Sequence, residues 1–221
     1  MRKGAVPAGP AAQADRARAL QLTPVSRETA ARLDRFADLL NHWQNSINLV
    51  SPATLPHLWT RHIADSLQLL ALVEASKIWV DLGSGGGFPG IPVAAALADI
   101  AGAEVHLVES NRKKAAFLRE AVRVTGAPAK VHAMRIEDFV AGFSGRPDVV
   151  SARALAPLKE LLEAAYPLLK TGAVGLFPKG QDVEAELTEA AKCWKFDCKL
   201  IPSLTSPEGQ VVVIHNPARV P

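Results

Sequence analysis

An apolar run that ends in an acid and breaks at once into glycine, Trp79-Val80-Asp81-Leu82-Gly83-Ser84-Gly85-Gly86-Gly87-Phe88-Pro89-Gly90, constrains this chain more than any other stretch. It reads as a strand running into a loop where a ligand can touch backbone. Gly83, Gly85 and Gly87 lack a Cβ and tolerate positive φ, so the chain can turn tightly there and lie against an adenosine-like ligand.

From Lys77 onward, short apolar runs alternate with amphipathic stretches. Strands are expected over 78–82, 104–108, 130–134, 148–152, 173–178, 195–201 and 211–215, with helices over 91–98, 112–124, 158–169 and 183–193. Such alternation predicts an α/β fold of right-handed βαβ units: a seven-stranded, mostly parallel sheet with helices on both faces. No helical crossover separates the last two strands, so they are expected to pair antiparallel.

The chain before Lys77 reads as helical. Ser26 is placed as an N-cap, and Leu33, Phe36, Leu40, Trp43 and Ile47 recur at spacings of three and four on one face. The pattern returns from about Thr54 to Leu72 with Leu55, Leu58, Ile63, Leu67 and Leu70, Pro56 setting its start. The expected organisation is a disordered tail over 1–24, a small helical layer over 25–76 and a ligand-binding domain over 77–221.

With 221 residues, 48% of them hydrophobic, the chain can build one well-cored domain and an appendage. No stretch reaches the roughly 18 apolar residues of a membrane span, and the N-terminus has positive charge but no apolar signal-peptide core. Two cysteines, Cys193 and Cys198, make neither a disulfide framework nor a four-ligand zinc set, so reduced thiols, no metal and a cytoplasmic location are expected. A net charge of +3 is compatible with a nucleic-acid partner without requiring one.

Two ligands compete for the loop. Gly85-Gly86-Gly87-Phe88-Pro89-Gly90 satisfies G-x-G-x-x-G, which admits a nicotinamide dinucleotide. Asp81, at the carboxyl end of the strand, would repel a pyrophosphate and attract the sulfonium and ammonium of S-adenosylmethionine. Glu109 ends the second strand, where a carboxylate accepts both ribose hydroxyls of either ligand. Ile136-Glu137-Asp138, after the third strand, is placed to lay an apolar wall and acceptors beside adenine. The bland readings are a glycine turn that only makes packing room, a solvated Glu109 and a helix-capping Asp138.

Four motifs carry a resemblance to a known family: Asn48-Leu49 followed by Arg61-His62-Ile63-Ala64-Asp65-Ser66-Leu67, the loop from Asp81 to Pro92, Ser151-Ala152-Arg153-Ala154-Leu155-Ala156-Pro157-Leu158, and Phe177-Pro178-Lys179-Gly180. Over residues 41 to 180 the chain resembles the RsmG (GidB) family of bacterial ribosomal RNA methyltransferases. That resemblance implies a class I, Rossmann-like methyltransferase that uses S-adenosylmethionine to methylate N7 of a guanine in 16S ribosomal RNA, within the small subunit or an assembly intermediate. It also implies that Gly83, Phe88, Ile136, Glu137 and Arg153 contact the cofactor. Val50 stands where the family usually has Thr.

Guanine N7 carries an in-plane lone pair and no proton, so its methylation requires orientation and desolvation rather than a general base. The place after the fourth strand reads Ser151-Ala152-Arg153-Ala154, with neither the Pro-Pro-aromatic run used on exocyclic amines nor a cysteine nucleophile. His62 and Asp65, three apart, share a helical face and are candidates for the site mouth, or for a plain surface pair with Arg61. Arg153, at a strand end, is a candidate for cofactor or phosphate contact. Lys179, Arg61 and the helical group Arg112, Lys113, Lys114, Arg119 and Arg123 are candidates for the RNA backbone, against an ordinary solvated face. Trp43 and Trp59 read as core anchors. A monomer is expected. An RNA-binding assembly factor without turnover and a nicotinamide-dependent oxidoreductase remain open alternatives.

Overall fold

The computed structural model describes residues 9–220. Seven strands form one sheet: β1 (Ile78–Leu82), β2 (Glu104–Val108), β3 (Ala129–His132), β4 (Val149–Ser151), β5 (Val174–Lys179), β6 (Trp194–Pro202) and β7 (Gln210–Arg219). Their order is β3-β2-β1-β4-β5-β7-β6. The first five run parallel, while β7 is antiparallel to both β5 and β6. The order reverses between β1 and β4, and a crevice opens there beyond the strand ends, the usual ligand site of such sheets.

Helices α4 (Gly90–Ala96), α5 (Arg112–Thr125), α6 (Ile136–Gly142), α7 (Leu158–Leu169) and α8 (Val183–Ala191) make the crossovers among the strands. Local chemistry sets their ends. Asn111 caps α5 by accepting from the amides of Lys113 and Lys114, and Gly126 closes it at φ +64°. The sheet is buried on both faces, with Trp79, Val105 and Leu107 in one cluster and Val80, Leu82 and Val150 in the other. That alternation along β1 and β2 is the period-two pattern of a strand covered on both sides.

The first cluster also takes in the N-terminal helices. In α2 (Arg27–Gln44), Ser26 accepts from the amide of Thr29, and Leu33, Phe36 and Leu40 are fully buried. Phe36 packs on Phe88 and Phe117, and Trp43 meets Phe117 edge-on. Trp43 is thus half-buried and Trp59 buried, both as packing residues. The 55–72 stretch is helical with changing pitch: 3₁₀ turns at Leu55–His57 and Gln68–Leu72 flank a π-helical Trp59–Ala64 and a short α turn, α3 (Asp65–Leu67). The wider π turn lies in the middle of the candidate motif, a common position for such bulges.

One expectation is corrected here. Within the stretch expected to be disordered, residues 10–22 form a helix, α1 (Pro10–Leu22); residues 1–8 lie outside the described residues. Pro10 starts the helix, where its missing N–H costs nothing. What holds α1 is tertiary: Asp15 is buried and its carboxylate accepts the amides of Trp59 (2.9 Å) and Thr60 (3.3 Å) and the Thr60 hydroxyl (2.5 Å). Arg16 stacks over Trp59 and pairs with Asp34 on α2. The composition of the stretch suggested a tail, but one acid placed in register caps a helix that begins 44 residues later.

Candidate active site

The crevice holds a cavity of about 700 Å³ at the carboxyl ends of β1, β2 and β4, lined by the glycine loop, the 49–54 loop and the starts of α6 and α7. Its floor is backbone. Gly83, Gly85 and Gly87 all have positive φ (+69°, +53° and +90°). At Gly86 a Cβ would stand 2.6 Å from the carbonyl oxygen of Leu49, so the loop presses directly on the 49–54 segment. Gln44 shapes that segment: its Oε1 accepts the amides of Leu49 and Val50, and its Nε2 donates to the Val50 carbonyl.

Glu109 closes one end. Its Oε2 accepts from the amide of Gly85 at 2.9 Å and its Oε1 from the amide of Asn111 at 2.7 Å, while the residue lines the cavity. Each carboxylate oxygen has a second lone pair to offer a hydroxyl. Ile136, Glu137 and Phe88 line the same cavity. Gly83, Gly85, Phe88, Glu109, Ile136, Glu137 and Arg153 of the expected set all line this cavity; Gly87 stands behind it, against Ile91 and Phe36.

Asp81 is elsewhere, which corrects the role expected of it. The residue is 1% exposed and does not line the cavity. Its Oδ1 accepts from the Ser151 hydroxyl at 3.0 Å and its Oδ2 from the Gly90 amide at 3.2 Å, which ties β1 to β4 and to the start of α4. Burial pushes its carboxyl up to about 7. Strand geometry explains the placement: a residue inside β1 points to one sheet face, and Asp81 points to the α4 side, where a Cβ on Gly90 would meet its carboxylate at 2.8 Å. A carboxylate so enclosed neither attracts a sulfonium nor repels a pyrophosphate at the cavity surface, so it does not choose between the two ligands.

His62, Asp65 and Arg153 do come together. Arg153 Nη1 donates to His62 Nδ1 at 2.9 Å, Nη2 donates to the Arg61 carbonyl at 2.9 Å, and Nε pairs with Asp65 at 3.2 Å. Since an arginine can only donate, His62 carries its proton on Nε2 and gives it to the Thr54 hydroxyl at 2.8 Å. Burial and the cations Arg153 and Arg61 lower the imidazole to about 3, so it is neutral at physiological pH. Its ring lies 5.0 Å from that of Phe88. His62 and Arg153 both line the cavity, whereas Asp65 lies behind Arg153.

Lys179 is corrected as well. Its amine pairs with Glu186 at 2.6 Å and donates to the Ala156 carbonyl at 2.7 Å, with the side chain largely buried, so it holds a loop and is not presented to a phosphate. Among the helical cations, Arg112, Lys113 and Arg119 are exposed, Arg123 is exposed but paired with Glu120, and Lys114 is half-buried on the cavity wall. Arg61 is exposed. Leu49, Ser84 and Leu155, which stand in the sequence motifs without an assigned role, also line the cavity, as do Thr54 and Glu160, which no motif contained. Val50, the departure from the family pattern, also lines it.

The family described as rRNA small subunit methyltransferase G matches residues 29–211. The chain is 63% identical over 210 residues to the ribosomal RNA small subunit methyltransferase G of Bradyrhizobium sp. (strain BTAi1), covering 95% of each chain. It is 60% identical over 206 residues to the protein so named from Rhodopseudomonas palustris (strain BisB18), covering 93% of this chain and 88% of that one. Among solved structures it is similar to a variant of MtNAS in complex with S-adenosylmethionine (15% identity, TM-score 0.57, 93% of this chain and 77% of that one). It is also similar to cofactor-bound Rv0187 from MTB (14% identity, TM-score 0.58, 92% and 97%). At such identities the likeness is one of fold, the class I methyltransferase form of the α/β sheet.

Proposed function

Since the chain belongs to the rRNA small subunit methyltransferase G family, we propose that its crevice binds S-adenosylmethionine and delivers the methyl group to N7 of a guanine in 16S ribosomal RNA. The enzyme is an S-adenosylmethionine-dependent methyltransferase of small-subunit ribosomal RNA. The observation that carries the assignment of the cavity is Glu109, a carboxylate fixed by two backbone amides and still able to accept from a ribose.

The residues present fit that cofactor. A cavity of about 700 Å³ falls within the ~300–1,000 Å³ range of small-molecule sites. Gly83 and Gly85 would let the nucleoside lie on backbone, Glu109 would take the ribose hydroxyls, and Ile136 with Glu137 would flank the adenine. When bound, S-adenosylmethionine supplies a methyl group on a cationic sulfur; N7 takes it with its own lone pair, the C–S electron pair leaves on sulfur, and no proton moves.

What the chain must do is therefore orient and dry the site. Neutral His62, locked in one tautomer between Thr54 and Arg153 and packed at a tilt against Phe88, is suited to shaping the mouth and has little strength as a base. Arg153 serves as a positioning residue that joins His62 to Asp65. Exposed Arg61, Arg112, Lys113 and Arg119 supply positive charge for phosphates.

In the same reading the enzyme works as a cytoplasmic monomer on the small subunit or an assembly intermediate; no helix among the described residues is long and apolar enough to cross a membrane. The test is methyl transfer from labelled S-adenosylmethionine to small subunits and to naked ribosomal RNA from a strain lacking its own copy, read by nucleoside mass spectrometry. Label in 7-methylguanosine is expected. Cofactor binding with no label in RNA would support a non-catalytic assembly factor, and dinucleotide binding in place of S-adenosylmethionine would support an oxidoreductase.

A further inference from the structure

Both ring nitrogens of His62 are occupied by the protein itself. Arg153 Nη1 donates to Nδ1 at 2.9 Å, and Nε2 donates to the Thr54 hydroxyl at 2.8 Å. Thr54 in turn gives its own hydroxyl proton to the Ser51 carbonyl at 2.9 Å. The chain therefore runs one way, from guanidinium to imidazole to hydroxyl to carbonyl, and imidazole and hydroxyl each accept once and donate once.

Backbone aims the hydroxyl. The Thr54 amide also donates to the Ser51 carbonyl at 3.0 Å, and the Thr54 carbonyl accepts from the His57 amide at 3.0 Å, so Thr54 is fixed at the start of the 3₁₀ turn Leu55–His57. His62 stands in the π turn Trp59–Ala64, with its ring 5.0 Å from that of Phe88, and Arg153 arrives from just past β4. Ser51, Thr54, His62 and Arg153 all line the cavity.

A ring bound in this way offers a ligand only carbon. Its lone pair, on Nδ1, is taken by Arg153, and its N–H by Thr54. Both matter where a methyl group is handed to an aromatic nitrogen. A bare imidazole lone pair is a nucleophile of the same kind as guanine N7, and a bare N–H is a donor that would cap the N7 lone pair. Burial, and then the cations Arg153 and Arg61, keep the ring uncharged, so it does not repel a sulfonium. The contact at Nδ1 alone is a pivot; the contact at Nε2 removes the rotation.

We propose that Thr54 is a positioning residue for methyl transfer: acting through His62, its hydroxyl keeps the imidazole N–H away from the acceptor nitrogen and fixes the ring as an inert wall of the mouth. The proposal rests on the rRNA methyltransferase reading.

Thr54 is half-buried at a surface turn, so it can be changed without opening the core. Thr54→Val keeps the β-branched shape and removes the hydroxyl, whereas Thr54→Ser keeps the hydroxyl. For Thr54→Val the expected result is an S-adenosylmethionine Kd within about threefold of wild type and a kcat on small subunits lowered about 10- to 100-fold, with Thr54→Ser within about threefold of wild type in both. A second readout needs no RNA. NMR of protein carrying nitrogen-labelled histidine and bound S-adenosylhomocysteine should show the His62 Nε2–H as a slowly exchanging resonance in wild type and Thr54→Ser, and lose it to water exchange in Thr54→Val.

A wild-type kcat in Thr54→Val would overturn the proposal and leave the methyltransferase reading intact. So would equal losses in Thr54→Val and Thr54→Ser, or a lowered kcat with the Nε2–H still protected, because the hydroxyl's hold on the ring would then not be the cause. A fall in cofactor affinity that accounts for the whole loss would make Thr54 a plain cofactor contact and overturn it too. A wild-type enzyme that binds S-adenosylmethionine but never labels ribosomal RNA would overturn both.

Discussion

Arg153 faces His62 nitrogen to nitrogen at 2.9 Å, a contact that fixes the tautomer of the imidazole and, after burial, is the next cause of its neutrality. Unfolded, His62 takes a proton below about 6.5, while the folded protein refuses it down to about 3. The unfolded chain therefore binds more protons in that window, and stability falls as pH drops through it. Denaturant midpoints of wild type and His62→Gln between pH 7 and pH 4.5 should diverge, the wild type losing on the order of 2 kcal/mol more. Parallel curves would mean that the ring is protonated normally. No histidine limb is expected in the pH–rate profile above pH 5.

Asp81 has the opposite sign. Its carboxyl is raised from 3.8 to about 7 by burial, so between those values the folded protein holds the extra proton and stability declines as pH rises. Asp81→Asn keeps an acceptor for the Gly90 amide and a donor for Ser151. The variant should match wild type near pH 4 and exceed it at pH 8, by up to about 4 kcal/mol in the cofactor-free protein. Asp81→Ala, which leaves the Gly90 N–H and the Ser151 hydroxyl without their acceptor, should instead lose about 1–3 kcal/mol at pH 4, measured by chemical denaturation.

Gly86 meets an obstacle that cannot step aside. A Cβ there would lie 2.6 Å from the Leu49 carbonyl, and Gln44 grips the backbone on which that carbonyl sits. Gly86→Ala should cost about 1–3 kcal/mol of stability and weaken S-adenosylmethionine binding about tenfold by moving the 49–54 wall. Calorimetric titration of the cofactor with unchanged affinity would show that the two loops are free to separate.

Removing the Asp15 carboxylate uncaps the helical segment that carries His62. Asp15→Ala should lower stability by about 1–2 kcal/mol, the usual cost of a lost N-cap, and raise amide exchange at Trp59 and Thr60. Unchanged exchange at those two amides would show that α1 is only an onlooker.

The central strands were legible because they are buried on both faces and read as short apolar runs between glycines and helix signals; β1 and β2 lie at their expected bounds, and β7 runs further than the apolar stretch 211–215 suggested. The α6 helix went unread because its seven residues bury only Phe139, too little to set a period. Asp81 shows another limit. A sequence places an acid at a strand end but does not say which sheet face it takes, and a shift of one residue changes a ligand contact into an internal tie. Contacts between distant segments left no local trace, as with Asp15 and Trp59, or Lys179 and the Ala156 carbonyl. The meeting of His62, Asp65 and Arg153 across some ninety residues was likewise beyond periodicity, although all three stood in the motifs.

Asp65 accepts from Gln68 and from Thr205 across 140 positions of chain, so the wall beside Arg153 is finished only when the turn between β6 and β7 has docked. Contacts of such separation form late in folding, since loop closure must be met before they repay it. A nascent polypeptide still lacking its last strands would carry the glycine loop and Glu109 but not the completed wall. Topology thus schedules assembly of the wall last, so that competence of this part of the molecule reports on completion of the whole.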